Sequence, residues 1–201
     1  MPAWPQWCWK TTFIKTAASF IHSTSGQVLL HNQPVGQKTK QYISYLPDQN
    51  FLYPWFKVRD ALHYFSSFFH DFDSKQAKSP LNRMGISPNQ RIRSCSKGMQ
   101  EKINIALAIS RRASLFLFDE PLATVDPLTR DFIIDTIKNN LDRKHSSILI
   151  STHLINDVEA LFDDVIILYE GKVLVWASVK ELKAKYQMPL EEIFKEVIRH
   201  A

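Results

Sequence analysis

The most informative stretch of this chain is Ser114-Leu-Phe-Leu-Phe-Asp-Glu-Pro-Leu-Ala-Thr-Val-Asp-Pro127. Its apolar run, residues 115–118, predicts a strand that is buried on both faces of a parallel sheet. Asp119 and Glu120 follow at the carboxyl end of that strand, where open parallel sheets bind ligands. Because neighbouring strand residues point to opposite faces, one carboxylate can hold a metal while the other polarises a water. The alternative interpretation is a buried strand that ends in a solvated acidic turn.

Length and composition indicate one globular domain. The chain has 201 residues, of which 45% are hydrophobic and 22% charged, which fits a substantial core. The net charge is +5, but the charges are interspersed, so nucleic-acid binding is not indicated. Two cysteines do not make a disulfide framework, which favours a reducing cytoplasm. We expect no signal peptide and no run near the roughly 20 apolar residues that span a bilayer, so any membrane role comes through a partner.

The apolar pattern predicts helices and strands around that central strand. Further strands are expected at 27–30, 41–46 and 147–152, with a hairpin of 165–169 and 172–176. Helices are expected at 13–20, 58–70, 94–112, 127–141, from 178 onward, and at 190–198. His153 follows the strand at 147–152, so it is expected at the same carboxyl edge of the sheet as Asp119.

Polar residues predict where several helices begin. Ser96 is a candidate N-cap, and Gly98 would let a phosphate approach the backbone donors at that helix start. Asp126 is a second candidate N-cap, because proline occupies the next position. Ser178 and Glu181 have the spacing of a capping box.

Residues 51–75 are rich in aromatic side chains, and the helical spacing over 58–70 predicts a helical insertion. The aromatic residues are Phe51, Tyr53, Trp55, Phe56, Tyr64, Phe65, Phe68, Phe69 and Phe72. They either pack a core or face a partner, and the sequence leaves both possibilities open.

The order of the short motifs resembles the nucleotide-binding subunit of ABC transporters, and looks closest to the bacterial drug-, peptide- or bacteriocin-export type. The motifs are Lys-Thr-Thr at 10–12, Ser-Lys-Gly-Met-Gln at 96–100, Asp-Glu-Pro at 119–121, Ala-Thr-Val-Asp at 123–126 and Ser-Thr-His at 151–153. The resemblance covers about residues 4–171. It implies an α/β P-loop NTPase core, with a mostly parallel sheet and flanking helices. It also implies an ATPase domain at 1–186, an inserted helical subdomain at 58–107 and a C-terminal helix at 187–201.

The resemblance implies ATP and Mg²⁺ as ligands. Lys10 resembles the Walker A lysine between the terminal phosphates, and Thr11 resembles the hydroxyl on Mg²⁺. Asp119 resembles the Walker B aspartate that holds the metal's water shell. Glu120 resembles the general base, and His153 the switch histidine at the γ-phosphate. The other nucleotide contacts implied are Thr12, Gln49, Ser96, Gly98 and Asp126.

Several of these contacts imply partners. In this family the signature motif, here Ser96 and Gly98, reaches the ATP of a second ABC subunit, so a complete site needs a homo- or heterodimer. The Q-loop of the family touches the transmembrane permease. Either Asp48 or Gln49 fills its glutamine position, and the sequence leaves this choice open.

The implied function is ATP hydrolysis that powers a separate membrane permease. The chain would lie at the cytoplasmic face of the cell membrane, or in the cytoplasm if unassembled. Two alternatives stay open. One is a non-catalytic regulatory subunit that pairs with an intact ATPase, and the other is a soluble ABC ATPase without a transport role.

The phosphate loop departs from the family pattern. Counting back from Lys10, the glycines of Gly-x-x-Gly-x-Gly-Lys fall on Trp4, Trp7 and Trp9. Glycine is needed there because the backbone must wrap the phosphates in conformations that bulky residues do not adopt. We expect the three indoles to fill the phosphate volume and to impair ATP binding.

The genetic code offers an explanation for the three tryptophans. The only tryptophan codon, TGG, read one nucleotide later gives GGN, which always encodes glycine. We therefore hypothesise a one-base frameshift near Lys10 and an N-terminal truncation that removes the first strands and the adenine-stacking aromatic residue. The alternative is a diverged, non-catalytic subunit.

Overall fold

The computed structural model describes residues 7–123 and 125–201, and Trp4 lies outside these ranges. The described residues divide into two compact units. The smaller unit contains the described residues up to Phe13 together with His153–Ala201, and the larger contains Ile14–Thr152. The predicted limits of the ATPase domain, the helical subdomain and the C-terminal helix stay predictions.

The described residues form helices and strands in an α/β arrangement. The α-helices are α1 (Trp7–Ala17), α2 (Val58–Phe68), α3 (Ser74–Arg83), α4 (Lys97–Ile109), α5 (Pro127–Asn140), α6 (Ile155–Val158), α7 (Val179–Tyr186) and α8 (Leu190–Arg199). The strands are β1 (Leu29–Leu30), β2 (Gln33–Pro34), β3 (Ile43–Leu46), β4 (Leu115–Asp119), β5 (Ser147–Ser151), β6 (Asp164–Tyr169) and β7 (Lys172–Ser178). Short 3₁₀ turns occur at Lys40–Tyr42, Ile92–Ser94 and Glu159–Leu161.

A parallel sheet of strand order β3-β4-β5 forms the centre of the larger unit. Leu117 in the middle of β4 lies opposite Tyr45 of β3 and Leu149 of β5. Phe116, Leu117 and Phe118 are almost completely buried. This confirms the predicted strand, because a strand covered on both faces can be apolar throughout.

Helices cover both faces of this sheet. On one face Leu117 packs with Ile14 of α1 and with Ile43. On the other face the Ser44 hydroxyl donates to the carbonyl of Ala108 in α4 at 2.8 Å. The alternation of β-strand side chains therefore places the α1 and α4 layers on opposite sides of β3.

Helices α2, α3 and α4 share a hydrophobic core. Its buried members are Leu52, Val58, Ala61, Leu62, Phe65, Ala77, Leu81, Ile86, Ile92, Cys95, Ile103, Ala106 and Leu107. The sequence did not predict α3, because it is mostly polar and carries Pro80, which usually ends a helix. Asp73 stabilises its start by accepting hydrogen bonds from the amides of Lys75 and Gln76.

A buried arginine joins this helical part to the sheet. Arg111 donates to both carboxylate oxygens of Asp71 at 3.1 Å, and to the carbonyls of Ile43 at 2.5 Å and Gln41 at 2.9 Å. Its guanidinium carbon lies 4.0 Å from the centre of the Phe69 ring. Because its hydrogen bonds satisfy the buried charge, Arg111 ties the segment between α2 and α3 to the start of β3.

The smaller unit contains an antiparallel hairpin of β6 and β7. Its turn has positive φ at both Glu170 (47°) and Gly171 (76°), as a two-residue type I′ hairpin turn requires. This confirms the predicted hairpin. The capping box of Ser178 and Glu181 is also confirmed, with both hydrogen bonds at 3.1 Å at the start of α7.

The start of α1 differs from the prediction. The helix begins at Trp7 rather than at residue 13, so residues 7–9 are helical and not part of a loop. Tryptophan, unlike glycine, favours no left-handed turn, so nothing in its stereochemistry stops the helix from extending toward the N-terminus. No helix of the described residues has both the length and the apolar character needed to cross a membrane.

The Trp9 indole packs against the turn of the hairpin. A Cβ atom built on Gly171 would lie 3.3 Å from Cε3 and Cζ3 of this indole. Trp9 itself is 44% exposed. Glycine at 171 therefore serves two purposes, the left-handed turn and the close approach of the indole.

We predict that Gly171→Ala lowers the free energy of unfolding by about 1–2 kcal/mol, because alanine is strained in the left-handed conformation. A further decrease is expected because the new Cβ atom would crowd the Trp9 indole. When Trp9 is also replaced by alanine, the cost of crowding the indole should disappear. The effects of the two substitutions on the free energy of unfolding, measured in urea, should then differ from additivity by about 0.5 kcal/mol or more. Gly85→Ala is the matched control, because Gly85 has φ 65° and open space around it. Additive effects of Trp9→Ala and Gly171→Ala would contradict the contact.

Candidate functional site

The site is built around Asp119, the last residue of β4. Its side chain is completely buried. Oδ1 accepts a hydrogen bond from the Ser151 hydroxyl at 2.6 Å, whereas Oδ2 has no hydrogen-bond partner among the described residues. A buried carboxylate oxygen needs a partner, and a hard cation such as Mg²⁺, or its water, is one that carboxylates bind well. Asp119 therefore fits the metal that the sequence predicts.

Glu120 follows Asp119 in an unusual backbone conformation. Its φ is 49°, in the left-handed region that few residues other than glycine adopt. Its amide donates to the Ser151 hydroxyl at 3.0 Å and to the Ser151 carbonyl at 3.1 Å. The prediction that both carboxylates belong to one strand is therefore wrong: β4 ends at Asp119, and the left-handed residue separates the two side chains.

Ser151, the last residue of β5, is a member of the site that the sequence analysis did not single out. It is 7% exposed and lies opposite Asp119 in the parallel register. The available signal was its place at the end of a predicted strand, in the Ser-Thr-His motif. The family resemblance assigns a role to the histidine of this motif and none to its serine.

Tyr45 adds a second buried polar atom near this edge of the sheet. Its hydroxyl has no hydrogen-bond partner among the described residues. Burial raises the pKa of Tyr45 to about 12, and the negative charges of Asp119 and Asp48 act in the same direction. The phenol therefore stays protonated at neutral pH, where it can donate a hydrogen bond.

The signature residues and Asp126 lie at the starts of two adjacent helices. The Ser96 hydroxyl accepts from the Met99 amide at 3.2 Å at the start of α4, which confirms the predicted N-cap. Asp126 caps α5 by accepting from the Thr129 amide at 3.0 Å and the Thr129 hydroxyl at 2.7 Å. These two bonds, the hydroxyl first, lower the pKa of Asp126.

Gly98 brings these two helix starts together. A Cβ atom at Gly98 would lie 3.2 Å from Oγ1 of Thr129 and 3.5 Å from Oδ2 of Asp126. A larger residue at this position would therefore press on the Asp126 cap. The structure thus groups Gly98 with Asp126, which the sequence had only placed in separate motifs.

The loop after β3 holds both candidates for the Q-loop position, Asp48 and Gln49. Both are exposed, and the choice between them stays a prediction. The next residue, Asn50, donates to Oε1 of Gln100 at 3.0 Å. This bond links the loop to α4, the helix that carries the signature residues.

The remaining predicted residues belong to the smaller unit. Lys10, Thr11 and Thr12 lie in α1 and are half-buried, and His153 is exposed just after β5. The structure therefore brings together Asp119 with Glu120, and Gly98 with Asp126, within the larger unit.

Glu101 is a titratable group inside α4. It is 9% exposed, and burial raises its pKa to about 7, although the charge of Lys97 acts in the opposite direction. A carboxylate in a poorly hydrated environment binds its proton more tightly. Glu101 therefore changes its charge near neutral pH, one helical turn after the signature residues.

We predict that Glu101 makes the free energy of unfolding depend on pH. Between the ordinary glutamate pKa of 4.5 and about 7, the folded state binds more protons than the unfolded state, so stability falls as pH rises through this window. Across this window, the free energy of unfolding of the parent should fall by about 3 kcal/mol relative to that of Glu101→Gln, because each pKa unit corresponds to about 1.36 kcal/mol. Urea unfolding at several pH values measures this, with Asp131→Asn, an exposed carboxylate on α5, as control. Parallel curves for Glu101→Gln and the parent would exclude the raised pKa.

Comparisons with known proteins show which family the chain resembles. The sequence pattern of the family described as "ABC transporter" matches residues 8–123. The uncharacterized ABC transporter ATP-binding protein YhaQ of Bacillus subtilis is 30% identical over 183 residues, covering 88% of this chain and 61% of the relative. The ABC transporter ATP-binding protein YtrB of the same organism is 26% identical over 179 residues, with the same coverage. The chain thus spans about three fifths of the length of these two relatives.

A solved structure supports the fold. The chain described as "Structure of ATP binding subunit of ABC transporter" superposes with a TM-score of 0.82 at 22% identity, covering 94% of this chain and 83% of that one. The shared fold is the α/β P-loop ATPase fold that the sequence predicts. On the family match and this fold, the chain belongs to the ABC transporter family as an ATP-binding domain.

Proposed function

We propose that this chain is the ATP-hydrolysing subunit of an ABC transporter and that it powers a separate membrane permease. The observation that carries the proposal is Asp119, a fully buried carboxylate with one oxygen held by Ser151 and the other without a partner among the described residues. Such a half-satisfied carboxylate at the carboxyl edge of a parallel sheet suits a metal-nucleotide site. The proposed domain limits are 1–186, with the helical subdomain at 58–107 and a C-terminal helix at 187–201.

Each site residue has one proposed task. Bound Mg²⁺ supplies the positive charge that neutralises the ATP phosphates. In the family's motifs, Asp119 and Thr11 occupy the positions that would hold this metal, and Lys10 occupies the position that would contact the terminal phosphates. Glu120 orients the attacking water as general base, and His153 contacts the γ-phosphate. Thr12 and Gln49 complete the contacts with the nucleotide.

A second ABC subunit is the first proposed partner. Ser96 and Asp126 are exposed at neighbouring helix starts, with Gly98 half-buried between them. Beside them Leu128 is 80% exposed, which is unusual for a leucine in a folded domain. A polar helix start next to an exposed leucine suits a subunit interface, where the signature residues reach the ATP of the partner.

The permease is the second proposed partner, and an aromatic surface supports it. This aromatic surface consists of Tyr53, Trp55, Tyr64 and Phe68, whose exposed fractions are 48%, 65%, 41% and 67%. The rings of Tyr53 and Trp55 stack at 4.9 Å, and those of Tyr64 and Phe68 at 5.4 Å. Other aromatic residues of this segment, such as Phe65, pack into the core. Aromatic residues of the same segment thus divide into buried ones, which pack the core, and exposed ones, which we propose face a partner.

Exposed aromatic rings that stack on one another form a preorganised apolar contact. We place the permease on this surface and the chain at the cytoplasmic face of the cell membrane. The surface lies on α2 and the preceding loop, which also carries the Q-loop candidates. ATP binding and permease contact would thus be connected through a short stretch of chain.

We further propose that the tryptophans weaken ATP binding. Large side chains at 4, 7 and 9 replace the glycines that allow close backbone approach to phosphate. This observation favours a second candidate function, a regulatory subunit that pairs with an intact ATPase. The two functions differ in whether this chain itself turns over ATP.

We predict that Glu120→Gln lowers the rate of ATP hydrolysis at least about 100-fold while ATP binding persists, because the variant cannot act as base. The rate of phosphate release and the heat of ATP binding, with Mg²⁺ present, measure the two effects. Asp135→Asn, an exposed carboxylate on α5, is the control and should match the parent. A parent chain that binds ATP without hydrolysing it would favour the regulatory function.

Replacing Trp4, Trp7 and Trp9 together by glycine should tighten ATP binding relative to the parent. The reason is that glycine restores both the space and the backbone freedom that a phosphate loop requires. Titration of each protein with Mg²⁺ and ATP measures the change in Kd. Equal affinities of the parent and the triple variant would refute the proposed effect of the tryptophans.

We predict that the double variant Trp55→Ser, Phe68→Ser lowers the fraction of the chain recovered with membranes from cells that express it. Removing two exposed rings deletes apolar contact area without opening the core. Trp176→Ser is the control, since Trp176 is 76% exposed on the hairpin of the other unit. Equal loss in both proteins would show that the aromatic surface has no special role.

A further inference from the structure

One side chain of β5 contacts both candidate carboxylate residues of the site. The Ser151 hydroxyl donates to Oδ1 of Asp119 at 2.6 Å and accepts from the amide of Glu120 at 3.0 Å. Its 7% exposure leaves little access to water. A single buried hydroxyl therefore lies between the end of β4 and the residue that follows it.

The chemistry of these groups fixes the direction of each bond. A carboxylate only accepts and an amide N–H only donates, so the single hydroxyl hydrogen must point at Asp119. The bond to Asp119 is short, as bonds from a hydroxyl to an ionised oxygen are. Rotation of the hydroxyl would lose that bond and misalign the acceptor for Glu120.

The register of the sheet makes this arrangement possible. Ser151 lies opposite Asp119 as the last pair of the β4–β5 ladder. The carbonyl of Ser151 also accepts from the Glu120 amide, at 3.1 Å. The amide is thus shared between the backbone and side chain of one residue, at the place where Glu120 takes its left-handed conformation.

The geometry points to Ser151 as a positioning residue for ATP hydrolysis. Its hydroxyl occupies Oδ1 of Asp119, which leaves Oδ2 as the oxygen that would bind a cation, and it holds the Glu120 peptide in its left-handed conformation. The inference rests on the proposed function of the site. Ser151 acts through its hydrogen bonds to the Asp119 carboxylate and to the Glu120 amide.

The first experiment uses the protein without nucleotide. In Ser151→Ala the Glu120 amide keeps the carbonyl of residue 151 as acceptor but loses the hydroxyl. The hydrogen exchange of this amide, measured by NMR, should therefore become about fivefold faster, which corresponds to the loss of one ordinary hydrogen bond. Ser151→Thr keeps the hydroxyl and should exchange like the parent. Ser147→Ala, at the exposed start of β5, is the matched control. Exchange at the parent rate in Ser151→Ala would overturn the inference.

The second experiment measures hydrolysis with ATP and varied Mg²⁺. Ser151→Ala should lower kcat about 10- to 100-fold, as expected for a lost hydrogen bond to a charged group, and raise the Mg²⁺ concentration for half-maximal rate. The KM for ATP should change little, because the nucleotide contacts remain. Ser151→Thr should restore kcat. Parent-like kcat and Mg²⁺ dependence in Ser151→Ala would refute the positioning role.

Two further results separate the inference from the proposed function. If Ser151→Ala does not fold, Ser151→Cys replaces it, because a thiol of similar shape makes only weak hydrogen bonds and should give the same exchange and kcat changes. If the parent hydrolyses no ATP, the proposed function fails. The exchange experiment then still decides whether Ser151 holds the Glu120 peptide, and a null result there overturns the inference independently.

Discussion

The complete burial of the Asp119 carboxylate at the end of an apolar strand is the constraint on which the site depends. A charge in this position needs hydrogen bonds or a cation, because apolar surroundings cannot replace water. Ser151 supplies one bond, and it can do so only because β5 pairs with β4 in a register that ends on this pair of residues. The left-handed Glu120 and the end of the strand follow from the same contact.

A second buried charge stabilises the other end of the sheet. Arg111 satisfies its guanidinium with Asp71 and with carbonyls at the start of β3, so the helical part and the sheet share one ion-pair network. Asp119 differs in one respect, since one of its oxygens has no hydrogen-bond partner among the described residues. Stability explains the first arrangement, because four hydrogen bonds and an ion pair surround the buried guanidinium. The second leaves a buried carboxylate oxygen without a hydrogen-bond partner among the described residues, which fits the proposed metal ligand.

Features that depend on neighbouring residues could be predicted from the sequence. The strand before Asp119, the N-caps at Ser96 and Asp126 and the hairpin at Gly171 are examples, because each is decided within a few positions. Helix α3 was missed because its pattern is polar and contains proline, and its cap at Asp73 lies in a segment dominated by aromatic residues. The early start of α1 was missed because the family pattern predicts a loop where this chain has tryptophan.

The family and the central strand could be read from the sequence, because the family depends on the order of short motifs and the strand on a local apolar run. The same motifs predict the site residues, whose roles stay proposals. The hydrogen bonds of Ser151, the raised pKa of Glu101 and the division of the aromatic residues into buried and exposed ones became visible only in the folded chain. Each of these depends on groups that are far apart in the chain and meet only after folding. Ser151 shows the reason most directly: its hydroxyl lies 32 positions from Asp119, and only the parallel pairing of β4 and β5 brings the two within hydrogen-bond distance.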